Sequence, residues 1–433
     1  MSNIFNFVFS RRNLVKASLL SLMPVGAASA ATLSVTSKLE SPIGSNSARI
    51  LVTSNQNIST YIEYGYSRAK YTAKTNAVIL KAGSSTSILL SGLKPSAKIY
   101  YRVRYNLKAT GTYLAKPELS FITLAASSNT VFAIQADPHM DENSDGNVYS
   151  NTLQQIVAAS PAFLMDLGDI FMVDKLQDKS EANIRARFEL MLGYYKKLGS
   201  VPLKICLGNH DGELGYSKFN TKNYRREYFP EQTGELAYFS FEGPDQLHVV
   251  LDPFTYTTSN PKDDGWQWTL GKTQYDWLKN TLSSSTATHK FIYIHHLLVG
   301  NATSRGGVEV AMRNEWGGQN NDGTPGFETN RPGWGKPIHQ LLIENKVGFV
   351  FKGHDHFYAK QELDGIVYQT LPQPSHPGDK VNTQDEYGYI GGDIIGGSGY
   401  LRVTVTSNNT KVEFVKTLIG NTIETVSDTY VLQ

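Results

Sequence analysis

Between residues 32 and 125 apolar and polar positions alternate in short runs, at 47–54, 59–64, 87–91 and 99–107, with Gly and Pro between them. Successive side chains of a strand point to opposite faces, so this pattern predicts half-buried strands. No helical period competes with it. Short strands separated by turn residues over about a hundred positions predict a β-sandwich. The texture changes at residue 130. Apolar runs at 130–136, 163–167, 203–207, 291–294 and 347–352 predict buried strands, and 151–159, 181–198, 273–282 and 336–345 carry the period of helices. Strands that alternate with helices predict an α/β domain. Further strands are expected at 365–371, 400–406 and 410–417.

Residues 1–30 stand apart from both patterns. A basic stretch precedes an apolar run at 17–27 and the small residues Ala28-Ser29-Ala30. The apolar run is too short for a stable bilayer span, so it reads as an export signal and is excluded from the fold. Its basic part, Ser10-Arg11-Arg12-Asn13-Leu14-Val15-Lys16, resembles the twin-arginine signal. The resemblance implies that the twin-arginine export machinery carries the folded protein to a periplasmic or extracellular location. The expected organisation is an export signal at 1–30, a sandwich at 31–125 and an α/β domain at 130–433. Residues 125–129, Ala-Ala-Ser-Ser-Asn, read as a linker.

Composition narrows the function classes. The 433 residues are 40% hydrophobic and 18% charged, as in ordinary globular proteins. Without Arg11, Arg12 and Lys16 the balance is 38 basic to 39 acidic residues. This near-neutral charge gives no reason to expect nucleic acid or stable membrane insertion. Cys206 is the only cysteine, which excludes an intramolecular disulfide. Folding and metal uptake before export fit that cysteine count.

A polar block follows each of the five apolar strands from residue 130 onward. The blocks are Asp137-Pro138-His139, Gly168-Asp169, Gly208-Asn209-His210-Asp211, His295-His296 and Gly353-His354-Asp355-His356. They hold six of the ten histidines. Ligands gather outside the carboxyl ends of strands in open α/β sheets, so the placement has meaning. Carboxylate and imidazole donors suit Zn, Mn or Fe. Glycine before Asp169, Asn209 and His354 is expected to let the chain turn sharply near an ion. Two neighbouring divalent ions need a shared acidic bridge, and Asp169 is the natural candidate.

In this order the blocks resemble those of the calcineurin-like metallophosphoesterase superfamily. The resemblance runs from Asp137 to His356, about half the chain, and the ordered set of blocks is what makes it specific. It implies two packed β-sheets flanked by helices, a four-layer α/β domain whose second sheet the C-terminal strands complete. It also implies that Asp137, His139 and His356 hold one divalent ion, that Asn209, His295 and His354 hold the other, and that Asp169 bridges them. His210 would protonate the leaving group, with Asp211 orienting its ring. The expected activity is hydrolysis of a small phosphomonoester by a water activated between the ions. A phosphodiesterase acting on nucleotide or glycerophosphodiester-type substrates is the alternative. A surface-binding protein with a degenerate enzyme domain would show loss of ligands, and every expected ligand is kept.

The first domain carries its own resemblance. Leu93-Lys94-Pro95-Ser96-Ala97-Lys98-Ile99-Tyr100-Tyr101-Arg102-Val103 is similar to a stretch of fibronectin type III domains, and with Tyr61-Ile62-Glu63-Tyr64-Gly65 it resembles the amino-terminal domain of purple acid phosphatases. The metal blocks depart from that group. Met172 stands where the purple enzymes have the tyrosine that binds ferric iron, and His139 stands where they have glycine. A thioether cannot replace a phenolate on a hard ferric ion, so divalent Mn, Zn or Fe and a colourless protein are expected. Neutral to alkaline activity is expected with them.

Other candidates read mainly as structural. His248 lies in an apolar run, His339 in a helix, His376 in a Pro-rich loop, and Asp166 on the far side of its strand. His296 either packs or meets substrate. The segment 300–335 is long and rich in Gly, and Arg305, Arg313 and Arg331 are phosphate-clamp candidates, with Trp316 and Trp334 as stacking candidates. A surface loop with solvated arginines is the competing reading.

Overall fold

The computed structural model describes residues 32–40, 43–107, 111–123, 129–173, 176–211, 227–229, 236–257, 264–300, 304–378, 383–418 and 424–433. The expected export signal at 1–30 and residues 125–128 of the expected linker lie outside the described residues. The first region is all β. Val35–Leu39, Ala48–Ser54 and Ser84–Leu90 form one antiparallel sheet. Ile58–Gly65 and Lys98–Asn106 pair at the centre of the other. Alternation decides what is buried: Ile50, Val52, Ile62, Ile99 and Val103 point inward and meet in one core. Burying each such side chain contributes about 1.5–3 kcal/mol.

The second region has the four expected layers. One sheet runs Leu203–Ile205, Leu164–Asp166, Thr130–Gln135, Gly399–Val405, Thr410–Lys416, Thr425–Leu432. The other runs Phe239–Gly243, Gln246–Val250, His289–Ile294, Phe349–Lys352, Ile366–Thr370, Tyr358–Leu363, Asp393–Ile395. Phe132 and Ile134 face the layer between the sheets, where they join Phe291, Tyr293, Phe351, Leu401 and Phe414. Ala133, between them in sequence, faces outward onto Tyr149 and Leu153 of helix Gly146–Ala158 and Phe188 of helix Glu181–Tyr195. Helices Gly271–Ser284 and Ile338–Glu344 cover the other outer face through Leu278, Leu282 and Leu341. Glu242, on an edge strand of the second sheet, accepts a hydrogen bond from Ser47 of the β region and lies 4.0 Å from Arg49.

Two sequence expectations need correction. The C-terminal strands do not all join one sheet. Ile366–Thr370 lies parallel to Phe349–Lys352, whereas Gly399–Val405 and Thr410–Lys416 extend the sheet of Thr130–Gln135. The cause is local. Asp364 and Gly365 both have positive φ and form the two-residue turn of a hairpin that keeps Ile366–Thr370 against Tyr358–Leu363. The helix expected at 151–159 begins earlier, at Gly146, because the Asp145 carboxylate accepts the N–H groups of Asn147 at 2.7 Å and Val148 at 3.3 Å.

Candidate metal centre

The five polar blocks converge beyond the carboxyl ends of parallel strands from both sheets. Their backbone is tightly turned. Asp137, His139, Asp169, His354 and His356 all have positive φ, from 51° at His139 to 71° at His354. Non-glycine residues reach this region at a cost of roughly 1–2 kcal/mol each. Such strain persists only where surrounding contacts hold it, and it collects at functional sites. Here the turns hold one another. The N–H of Asp137 donates to Gly168 O at 3.0 Å, that of His139 to Asp169 O at 3.1 Å, and that of Gly353 to His295 O at 3.0 Å. The N–H of His354 donates to Asp137 Oδ2 at 2.8 Å, and that of His210 to Asp169 Oδ1 at 2.7 Å.

The glycines serve a different purpose from the one the sequence suggested. Of the three, only Gly168 has positive φ. Gly208 and Gly353 are required by close approach: a Cβ on Gly208 would lie 2.1 Å from Asp169 N, and one on Gly353 would lie 2.6 Å from Asp137 Oδ2. The sharp turns fall on the acidic and histidine residues themselves.

Two clusters result. Side-chain donor atoms of Asp137, His139 and His356 lie within 4.8 Å of one another, and so do those of Asp169, His295 and His354. Asp169 Oδ2 connects the clusters, at 3.6 Å from His139 Nε2 and 3.2 Å from His295 Nε2. Asn209 Oδ1 lies 2.9 Å from His295 Nε2. His295 Nδ1 faces the Leu167 carbonyl at 2.9 Å, an oxygen that can only accept, so Nε2 is the nitrogen turned to the site. Asp137 Oδ1, His139 Nε2 and Asp169 Oδ2 are buried without a hydrogen-bond partner. Orphaned buried polar atoms are costly. Cation bonds of about 2.0–2.2 Å satisfy such atoms at spacings of this order, and the oxygen–nitrogen donor set suits a divalent metal. The residues present therefore fit a two-metal site.

Electrostatics agrees. Burial lowers the pKa of the His139 ring, but the negative charges of Asp137 and Asp169, each 3.6 Å from its Nε2, outweigh it and raise the ring to about 10. Burial also works against His295, and Asp169 and Asp137 raise it to about 9. Carboxylates able to hold two buried imidazoles protonated will attract other cations. His210 contacts the His139 ring edge-on, with centroids 5.8 Å apart, and its charge helps hold Asp169 ionised against burial.

The structure distributes the remaining candidates. Asp211 accepts the N–H groups of Asp169, Ile170 and Gly208 at 3.2, 2.9 and 2.6 Å, a clamp on two turns that the sequence did not suggest. His296 packs edge-on against Trp268 and Phe254, and burial lowers its pKa to about 3. His248 is enclosed by Phe241 and Phe291, and His339 bonds Tyr368 at 2.6 Å. Asp166 is buried and accepts from Gln135 and Tyr195. His376 is exposed in its loop. Segment 300–335 is mostly built into the fold, with short helices Val308–Ala311, Asn314–Gly317 and Phe327–Asn330 among its described residues. Trp316 is fully buried and donates to Tyr368, so it offers no stacking face, and Arg331 is committed to buried Glu315 at 2.5 Å rather than to phosphate. Trp334 packs on Tyr275. Arg305 alone of the three arginines reaches a metal-ligand block, bonding the His354 carbonyl and Asp355. Lys352 and Tyr389, which also bond Asp355, carried no signal beyond their proximity to that block.

The sequence model for calcineurin-like phosphoesterases matches residues 130–358. The solved structure of PhoD superposes with a TM-score of 0.52 at 15% identity, covering 92% of this chain and 89% of that one. A purple acid phosphatase from yellow lupin (Lupinus luteus) seeds gives a TM-score of 0.48 at 14% identity, covering 92% and 74%. A dimetal phosphatase from Danio rerio gives 0.44 at 11% identity, covering 70% and 98%. At these identities the PhoD likeness concerns the fold alone. No curated protein sequence matches.

Proposed function

The chain belongs to the calcineurin-like phosphoesterase family and is a metal-dependent phosphoric ester hydrolase, and on that premise we propose that it hydrolyses phosphomonoesters at a dinuclear centre. The observation that carries the reading is the pair of donor clusters joined through Asp169, with three buried donor atoms left without protein partners. In this reading Asp137, His139 and His356 would hold one ion, Asn209, His295 and His354 would hold the other, and Asp169 would serve both. Two divalent ions held there would lower the pKa of water and neutralise phosphoryl charge. The protein does the rest. Leu167 O fixes the tautomer and direction of His295. The Asp137 and Asp169 carboxylates are anchored by the N–H groups of His354 and His210, which leaves Asp137 Oδ1 and Asp169 Oδ2 for the ions. His210, partly exposed beside His139, holds a proton at its ring and delivers it to the departing alkoxide.

Metal analysis of the purified chain, with turnover measured on a panel of monoesters and diesters, tests this function. Two divalent ions (Mn, Zn or Fe) per chain and faster turnover of monoesters are expected. Faster diester turnover would make it a phosphodiesterase, and a chain that takes up no metal would overturn the site.

The β region at 31–125 is read as a spacer or docking module for the catalytic domain at 130–433. Among the described residues no helix is long and apolar enough to cross a membrane. Export through the twin-arginine machinery rests on Arg11 and Arg12. Replacing both by Lys should leave active enzyme in the cytoplasm, and continued export would refute that route.

A further inference from the structure

The residue between the last two ligand histidines is itself a buried acid with an unusual set of partners. Asp355 is 1% exposed. Its carboxylate receives Lys352 Nζ at 2.5 Å, Tyr389 OH at 2.6 Å, Arg305 Nη1 at 3.2 Å and the N–H of Gly306 at 3.3 Å. Two cations share one anion, so one positive charge is left over. Lys352 is 1% exposed and directs its ammonium to Asp355.

Arg305 is placed differently. Its Nη1 donates to the His354 carbonyl as well as to Asp355, and its guanidinium stacks on Tyr387 with 4.3 Å to the ring centroid. The side chain keeps 22% of its surface exposed. Its Nε and Nη2 have no hydrogen-bond partner among the described residues, and neither is enclosed. The group is thus held on one edge and one face while two donors remain open. Its bond to the His354 carbonyl ties the guanidinium to the block that supplies His354 to one donor cluster and His356 to the other. A guanidinium fixed before binding loses little entropy when an oxyanion arrives, and its fork matches phosphate or carboxylate oxygens.

We propose that Arg305 forms an anion subsite at the rim of the metal centre, where its open donors bind an oxyanion of the ester. That oxyanion is either the reacting phosphoryl group or a second anionic group on the leaving part. The inference rests on the phosphoester reading of the centre. It makes Arg305 a specificity residue contributed by segment 300–335.

The test uses the full metal-loaded chain and two probes that are not turned over. Inorganic phosphate stands for the reacting group, and methylene bisphosphonate carries a second anionic group. Binding of each is measured by calorimetry for the native chain, Arg305→Met, which removes the charge, and Arg305→Lys, which keeps it. Metal content is measured in parallel. Loss of a charged, two-donor contact should weaken binding about tenfold in Arg305→Met, with a smaller loss in Arg305→Lys. Metal content should be unchanged. A loss on both probes identifies the reacting phosphoryl group as the partner, and a loss on bisphosphonate alone identifies the second group. Native affinity for both probes in Arg305→Met overturns the subsite. So does weakened binding that tracks loss of metal, since Arg305 would then only position the His354 turn. If the native chain hydrolyses no monoester while Arg305→Met still weakens binding, the subsite stands and the monoester reading falls.

Discussion

The carboxylate of Asp211 accepts the backbone N–H of Asp169 at 3.2 Å, which ties the third polar block to the second. The same carboxylate takes the N–H groups of Ile170 and Gly208. Asp169 has a φ of 55°, so this clamp helps hold a turn that a free chain would avoid. Asp211→Asn removes one acceptor oxygen and should cost about 1–3 kcal/mol of stability, with weaker metal binding. Thermal unfolding and metal analysis check this. Both losses should persist in a His210→Ala background. If they vanish there, Asp211 acts only through the His210 ring.

Asp169 Oδ2 faces both donor clusters, at 3.6 Å from His139 Nε2 and 3.2 Å from His295 Nε2, and approaches His295 more closely than Asp137 Oδ1 does at 3.9 Å. Asp169→Asn keeps the shape and one oxygen but removes the shared negative charge. The variant should fold, lose metal and retain under about one thousandth of native turnover. Native turnover with a full metal complement would remove Asp169 from the centre.

His210→Ala should leave the metal content intact, because His210 belongs to neither donor cluster. Its loss should fall mainly on substrates whose leaving alkoxide needs a proton, by roughly a hundredfold or more. Nitrophenyl phosphate, with a stable leaving anion, should suffer much less. Equal losses on both substrates would exclude the acid role.

Metal identity has a direct optical readout. Met172 is buried, and a thioether there cannot ligate ferric iron as a phenolate would. The metal-loaded protein should therefore be colourless, with activity supported by Mn, Zn or Fe(II). An intense visible tyrosinate–iron band would show that some tyrosine reaches the metal.

Acid sensitivity should come partly from His248. Burial lowers its pKa to about 3, from an ordinary 6.5. The unfolded chain then binds a proton that the native state refuses. This contribution to stability is complete above about pH 6.5 and is lost as pH falls toward 3, by at most about 5 kcal/mol. Denaturant unfolding between pH 7 and 4 should show this decline, and His248→Gln should flatten it. An unchanged slope in the variant would assign the acid sensitivity elsewhere.

Periodicity alone determined much of this architecture. Phe132 and Ile134 against Ala133 is a two-residue alternation that places a strand between two layers wherever it sits. The donors were legible for the same reason: each block follows an apolar run, and strand ends are where a sheet presents ligands. What the sequence could not supply was anything set by contacts between distant segments. That Gly399–Val405 and Thr410–Lys416 extend the sheet of Thr130–Gln135 instead of the second sheet is set by pairing between segments far apart in sequence. Gly208 and Gly353 looked like hinges and proved to be clearances, because their neighbours Asp169 and Asp137 come from other strands. Arg305 and Arg331 are alike in one-dimensional context. Burial beside Glu315 commits Arg331 to the core, while a half-open position between Asp355 and Tyr387 leaves Arg305 with donors to offer. Periodicity follows from the local geometry of the chain, whereas pairing, clearance and the burial of a charge are set by which distant residues meet, and only the tertiary structure decides that.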